Sequence, residues 1–194
     1  MATGPSVTAT EVEKLKGKCH VIAVNDSYRL APWADMLYAA DHKWWKHHSY
    51  CPTFAKERWS SVSGPGGWCQ EATRYGLSLI KTRHAITLSF DPTVIHTGWN
   101  SAFQALNIAY LRGATRILLL GVDLNNRHGS HWFGDHPPGL QRSSPYSTFK
   151  RAFTEAAPIM AETGVKVVNC SPTSALDCYP VMGVADALRE CLIT

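Results

Sequence analysis

The chain has 194 residues and a mass of 21.4 kDa, enough for one hydrophobic core and, by length, one domain. Apolar residues make up 45% and charged residues 18%, which excludes a disordered chain, an acidic tail and a coiled coil. A net charge of +4, from 19 Lys and Arg against 15 Asp and Glu, gives a mild attraction for anions such as phosphates rather than a coat for nucleic acid. The longest apolar runs, such as 117–120, are far too short to span a bilayer, and no signal-peptide hydrophobic region follows Met1. Six cysteines, at 19, 51, 69, 170, 178 and 191, form no CxxC pair. They read as thiols, several of them buried, in a reducing cytoplasm.

Short apolar runs alternate with helical patterns along the chain, the mark of an α/β fold. A helical stretch is expected over 10–16. Cys19 to Asn25 reads as a buried strand that Asp26 ends, and Ala34 to Ala40 as a second strand that stops at Asp41. Asp41 is placed to cap a short helix carrying Trp44, Trp45 and His48. From Pro52 to Thr93 the signal weakens to a helical turn near Phe54, a Gly-Pro-Gly-Gly turn at 64–67 and a strand from Leu77 to Lys81. Asn100 or Ser101 then caps a helix running to Leu111, and Gly113 closes it. Arg116 to Gly121 is the clearest buried parallel strand. A loop of about 25 residues follows, too long for a mere connection. Ser147 to Thr163 is an amphipathic helix, Val165 to Asn169 a strand, and Gly183 to Leu192 a closing helix. This order predicts a doubly wound, mostly parallel sheet with helices on both faces, holding the strands at 19–25, 34–39, 116–121 and 165–169. Ligands of such sheets sit outside the carboxyl ends of the strands.

Polar residues gather at those ends: Asn25-Asp26, Asp41-His42, Asn100-Ser101, Gly121-Val122-Asp123 and Asn169-Cys170-Ser171-Pro172. Turn and cap preference explains each one singly; five at one predicted edge point to a binding site. Near the N-terminus, Gly4-Pro5-Ser6 forms a turn that can aim backbone N–H groups and a hydroxyl at a phosphate. Neither GxGxxG nor GxxxxGK[ST] is present.

The loop Arg127-His-Gly-Ser-His-Trp-Phe-Gly-Asp-His136 holds three histidines and an aspartate. Its spacing lacks the i, i+4 helical arrangement of a zincin, and no cysteine lies nearby to complete a structural zinc site. A metal cluster, an acid/base histidine and histidines merely stacked on Trp132 and Phe133 all remain open; a neutral imidazole is the natural group to take a proton from a hydroxyl near pH 7. Trp33, Trp44 and Trp45, with His42, His47 and His48, either stack a base or sugar or belong to the core or an interface.

Taken together, these segments resemble a Rossmann-like family of bacterial and phage proteins related to the small bacterial sialyltransferases and to archaeal pterin pyrophosphokinase-like proteins. Gly4-Pro5-Ser6 looks like the tail of that family's Gly-x-Gly-Pro-Ser nucleotide loop. Val24-Asn25-Asp26-Ser27-Tyr28 is similar to its strand ending in Asn, a polar pair and an aromatic residue. Gly98-Trp99-Asn100-Ser101-Ala102, the helix, Gly113 and Gly121-Val122-Asp123 resemble its central Ser-Gly, helix, Gly and Gly-x-Asp unit. Ser130-His131-Trp132-Phe133-Gly134 matches the Ser-His-aromatic-x-Gly segment whose histidine is the sialyltransferase base, and residues 169–174 resemble the family's Cys-Pro-x-Ser turn. Three departures stand out. Ala2 replaces the loop's first glycine, with the family's first strand either upstream or lacking. Asp41 stands where the sialyltransferases carry Asn. The tyrosines that hold the donor phosphate are not evident, which would leave Arg127 or Arg142 to do so.

The resemblance implies a cytoplasmic, nucleotide-dependent transferase of a bacterium or phage, most simply a glycosyltransferase with a nucleotide-sugar donor and a hydroxyl acceptor. Gly4, Pro5, Ser6, Asn100 and Ser101 would bind phosphate. Asn25, Asp26 and Asp41 would read base or ribose, with Gly121 and Asp123 beside them. His131 would be the general base, oriented by Asp135 or His136. The alternative enzyme transfers diphosphate from ATP with Mg²⁺ on Asp123 and Asp135. A third reading is a nucleotide- or nucleic-acid-binding module without turnover. A homo-oligomer is compatible with each.

Overall fold

The structure, a computed structural model, describes residues 1–141 and 144–192, with 191 and 192 in backbone only. Its seven strands are β1 (Ile22–Val24), β2 (Met36–Tyr38), β3 (Glu57–Ser61), β4 (Ser78–Arg83), β5 (Val94–His96), β6 (Arg116–Leu119) and β7 (Lys166–Asn169). Among the described residues the helices that accompany them are α1 (Ala9–Glu13), α2 (His42–His47), α3 (Trp68–Arg74), α4 (Ser101–Leu111), α5 (Tyr146–Glu162) and α6 (Val184–Leu192). A 3-10 turn, Asn25–Arg29, follows β1 directly.

The first five strands form a parallel sheet in the order β1-β2-β3-β4-β5, and β6 pairs in parallel with β7. Chain order equals spatial order out to β5; α4 then carries the chain back across β1 and β5. The expected strands therefore form two sets rather than one continuous ladder. The extended segment Met1–Gly4 lies between them. On one side Met1 N donates to Ile22 O at 2.9 Å and Val24 N to Met1 O at 3.0 Å. On the other, Ala2 N donates to Leu120 O at 2.7 Å and Gly4 N to Gly121 O at 2.9 Å. Below this short bridge an apolar slot of about 1150 Å³ separates β1 from β6, walled by Ala105 and Leu106 of α4 and by Leu15, Val184 and Leu188.

Alternation along the strands feeds two layers, as the period of two requires. Leu37, Leu79, Leu118, Leu120 and Val168 pack in one cluster with Val12 of α1, Trp44 and Trp45 of α2, Trp68 of α3 and Leu188 of α6. Met36, Tyr38 and Ile80 face Ile108 of α4, and Ile117, Leu119 and Val167 face Phe103 of α4 and Phe153 of α5. Helices thus cover both faces, and the fold is α/β, Rossmann-like.

Several boundaries differ from the sequence reading. β1 begins at Ile22, because Cys19 and His20 are exposed. α1 spans 9–13, since Gly17 turns the chain soon after. β3 and α3 lie in the stretch with the weak signal and β5 directly after it, and Phe54 sits buried outside any helix. Trp44 and Trp45 belong to the core, their indole N–H groups donating to Asp26 and to Ala39 O. Cys51 and Cys170 are buried and Cys69 is exposed; Cys19, expected in a buried strand, is exposed as well.

Candidate functional site

β1 leads away toward β5 while β6 leads away toward β7, so the crevice between them is the topological switch point of the sheet. A cavity of about 310 Å³ opens there, at the carboxyl ends of β1, β2 and β6. Of the residues singled out in the sequence, Gly4, Asn25, Asp41, Asn100, Ser101, Gly121, Asp123, His131 and His136 line it. Pro5, Ser6, Asp26 and Asp135 do not.

Asp123 is a brace. It is 2% exposed, and its two oxygens are held from both sides: Oδ2 accepts from Ser6 Oγ at 2.8 Å and Oδ1 from Thr173 Oγ1 at 2.7 Å. The Gly4-Pro5-Ser6 turn therefore grips the end of β6 with its hydroxyl. Gly4 must be glycine, because a Cβ there would stand 1.9 Å from Asp123 Oδ2 and 2.6 Å from Gly121 O. The residues after β7 act in the same scaffold. Ser171 Oγ accepts from Val122 N, Ser174 Oγ donates to Val122 O, and Asn169 donates to Leu176 O. None of residues 169–174 lines the cavity.

Asp26, 4% exposed, faces the aromatic cluster rather than the cavity, accepting from Trp44 Nε1 at 2.8 Å and pairing with Arg29 and with His48 Nε2. Asn25 is different. It starts the 3-10 turn at φ 50°, and its side-chain amide has no hydrogen bond among the described residues, so it is available to a ligand. Asp41 caps α2 through Lys43 N while bordering the cavity. Asn100 caps α4 as expected, its Oδ1 accepting from Ala102 N and Phe103 N. That cap consumes two of the N–H groups the sequence reading gave to phosphate; what remains there is the N–H and hydroxyl of Ser101.

His131 sits on the cavity wall with Nδ1 3.0 Å from Thr3 Oγ1, and its ring is stacked on Phe133 at 5.0 Å. Burial, and next the charge of neighbouring His136, push its pKa below the ordinary value of 6.5. His136 lies 4.5 Å away, ring to ring, and is lowered chiefly by burial as well. Both imidazoles are therefore neutral near pH 7. With a proton on Nδ1 toward Thr3, the Nε2 lone pair is free to accept one from a substrate. Asp135 does not orient His131; it accepts from Ser130 Oγ at 3.0 Å. The loop itself is pinned by Trp132 N donating to Thr3 O and by the Arg29 guanidinium 5.4 Å from the Trp132 ring.

Compared with protein-family models, with curated proteins and with solved structures, the chain matches none.

Among the lining residues that the sequence reading did not name for the site are Thr3, Trp99, Asn125 and Tyr146. Thr3 adjoins the flagged Gly-Pro-Ser turn but is tied to a residue 128 positions away, and only the fold shows that. Tyr146 begins α5 and places a phenol on the wall where the sequence had offered no tyrosine. Arg142 lies outside the described residues, and Arg127 is exposed and off the cavity. Among the described residues no group of three or more His, Cys, Asp or Glu side chains is arranged to hold a metal. Asp123 and Asp135, the carboxylates named for magnesium, are already hydrogen-bonded within the chain and do not fit that ion.

Proposed function

We propose that the switch-point cavity binds a nucleotide and that the protein is a nucleotide-dependent transferase, most simply a glycosyltransferase with a nucleotide-sugar donor. The observation that carries this reading is the convergence of a neutral, Thr3-bonded His131 with the free amide of Asn25 and the open N–H and hydroxyl of Ser101 on one cavity. Such a crevice outside parallel strands favours a phosphate-bearing ligand, because helix N-termini and backbone N–H groups face it.

In this reading Ser101 receives a phosphate oxygen at the first turn of α4, and Asn25 and Asp41 meet base or ribose. His131 Nε2 takes the proton of an acceptor hydroxyl as its oxygen attacks the donor carbon and the nucleotide leaves. Thr3 holds the imidazole in register. General-base action of this kind is worth on the order of 10²–10⁴-fold. The likeness to the sialyltransferase-like proteins, carried by the Ser-His-Trp-Phe-Gly segment and the Gly-x-Asp end of β6, supports the same assignment. Diphosphate transfer from ATP is weaker, because Asp123 braces the fold instead of facing a metal.

The test is a screen of nucleotide-sugars for release of free nucleotide, run with wild-type protein and His131→Ala. Turnover by wild type that falls roughly 10²-fold or more in a folded variant, with donor affinity kept, supports the proposal. Wild-type rates in His131→Ala would end the base assignment. Nucleotide binding with no turnover of any donor would leave a binding module.

A further inference from the structure

Among the described residues four large apolar side chains are exposed: Tyr75, Phe90, Trp99 and Val181. Tyr75 is stacked on Tyr50 with ring centroids 3.8 Å apart, and Phe90 rests edge-on against Tyr110. Only Trp99 borders the switch-point cavity. It is 49% exposed, although an indole gains more from burial than almost any other side chain.

Its backbone makes the exposure more telling. Trp99 has φ 54°, in the left-handed region that a bulky residue rarely adopts. The residue before it, Gly98, has φ 47° and packs its Cα against the Phe103 ring, where a Cβ would collide at 2.3 Å. Asn100, the residue after it, is fixed as the cap of α4. Trp99 therefore stands on a short, rigid segment: Gly98 N donates to Ala85 O and Asn100 N to Thr97 O. Such strain persists where the surroundings over-determine it, and it is found at ligand sites. Two residues further on is Ser101, with an open N–H and hydroxyl, and in the same cavity wall stand Asn25 and Asp41. Among the described residues the indole has one ring contact, a tilted one to His84 at 5.9 Å.

We infer that the Trp99 indole is the platform on which the nucleobase of the ligand stacks, which rests on the nucleotide reading of the cavity. A flat, half-exposed aromatic face accepts any base through its π surface, while hydrogen-bonding groups such as Asn25 and Asp41 choose among bases. The chemical class recognised is a planar heteroaromatic ring joined to a phosphate through a ribose, and not a bare sugar phosphate.

The experiment is calorimetric titration of wild type, Trp99→Ala and Trp99→Phe with CMP, UMP, AMP, GMP and inorganic phosphate, after circular dichroism shows each protein folded. The expected result is that at least one nucleotide binds wild type and loses roughly 5- to 150-fold in affinity in Trp99→Ala, the range for a base–aromatic stack. Trp99→Phe keeps most of the affinity, and inorganic phosphate binds all three proteins alike. Equal nucleotide affinity in wild type and Trp99→Ala overturns the platform and leaves the nucleotide reading standing. A folded wild type that binds none of the four nucleotides overturns both.

Discussion

Burial keeps the His131 imidazole unprotonated near pH 7, and the Thr3 hydroxyl beside Nδ1 leaves Nε2 to take a proton. Because its pKa lies below 6.5, the acidic limb of kcat/KM is predicted to fall below that value as well, with activity held through pH 6.5 and lost only under it. A limb centred at or above 6.5 would show that the titrating group is elsewhere. Thr3→Val removes the positioning hydroxyl and keeps the shape; it should lower kcat while leaving KM for the donor unchanged and displace the acidic limb. Gly4 is the most constrained neighbour. Gly4→Ala must push Asp123 away from Ser6 and Thr173, and buried hydrogen bonds to a charged group contribute about 1.5–3 kcal/mol each. Thermal unfolding should show a clear fall in Tm; an unchanged Tm would mean that the Asp123 brace carries no stability.

Among the elements, those with a strong apolar period and a matching cap were legible. α4 has Asn100 at one end and Gly113 at the other, and β6 carries the apolar run that starts at Ile117. β3 was not, because its buried side chains are serines: Ser60 and Ser61 donate to Ala39 O and Ala40 O, satisfying the sheet with hydroxyls that hydropathy reads as loop. Its first residue, Glu57, is exposed and paired with Arg112 at 2.7 Å. β5 has only three residues, and α3 starts from a left-handed Gly67 with no side-chain cap, so neither left a pattern. The α4 cap separates stability from binding. Asn100→Ala should cost about 0.5–2 kcal/mol in denaturant unfolding, whereas Ser101→Ala should weaken nucleotide binding with Tm nearly unchanged. Reversed outcomes would exchange the two roles.

At the scale of the whole molecule, the rule that ligands gather at carboxyl strand ends points to Asn25, Asp41, Asn100, Ser101 and Asp123, which border the cavity. It could not tell a wall from the brace behind it. Asp26, Ser6 and the residues after β7 are polar strand-end groups spent on the scaffold, a distinction set by contacts far apart in sequence. The same distances hide the Met1–Gly4 segment, whose bonds to Ile22 and Leu120 span the gap between β1 and β6. Ala2→Pro deletes the donor to Leu120 and should lower Tm and speed hydrogen exchange in β6 and β7 more than in β3 and β4. Uniform exchange would show that the two sets of strands do not depend on this bridge. Acid should also loosen the molecule. His48, His131 and His136 all have pKa values lowered mainly by burial. The unfolded chain then binds protons that the folded rings refuse, so stability is complete above about pH 6.5 and declines as pH falls toward the folded values.

The central claim, that the switch-point cavity is a nucleotide site, is tested most directly by a crystal structure of the protein soaked with the nucleotide that binds best in calorimetry. The account predicts density in the cavity between Asn25, Trp99 and His131, with a phosphate oxygen within hydrogen-bonding distance of Ser101 N or Oγ. Nucleotide density confined to the apolar slot between β1 and β6, or to the outer surface, would contradict it.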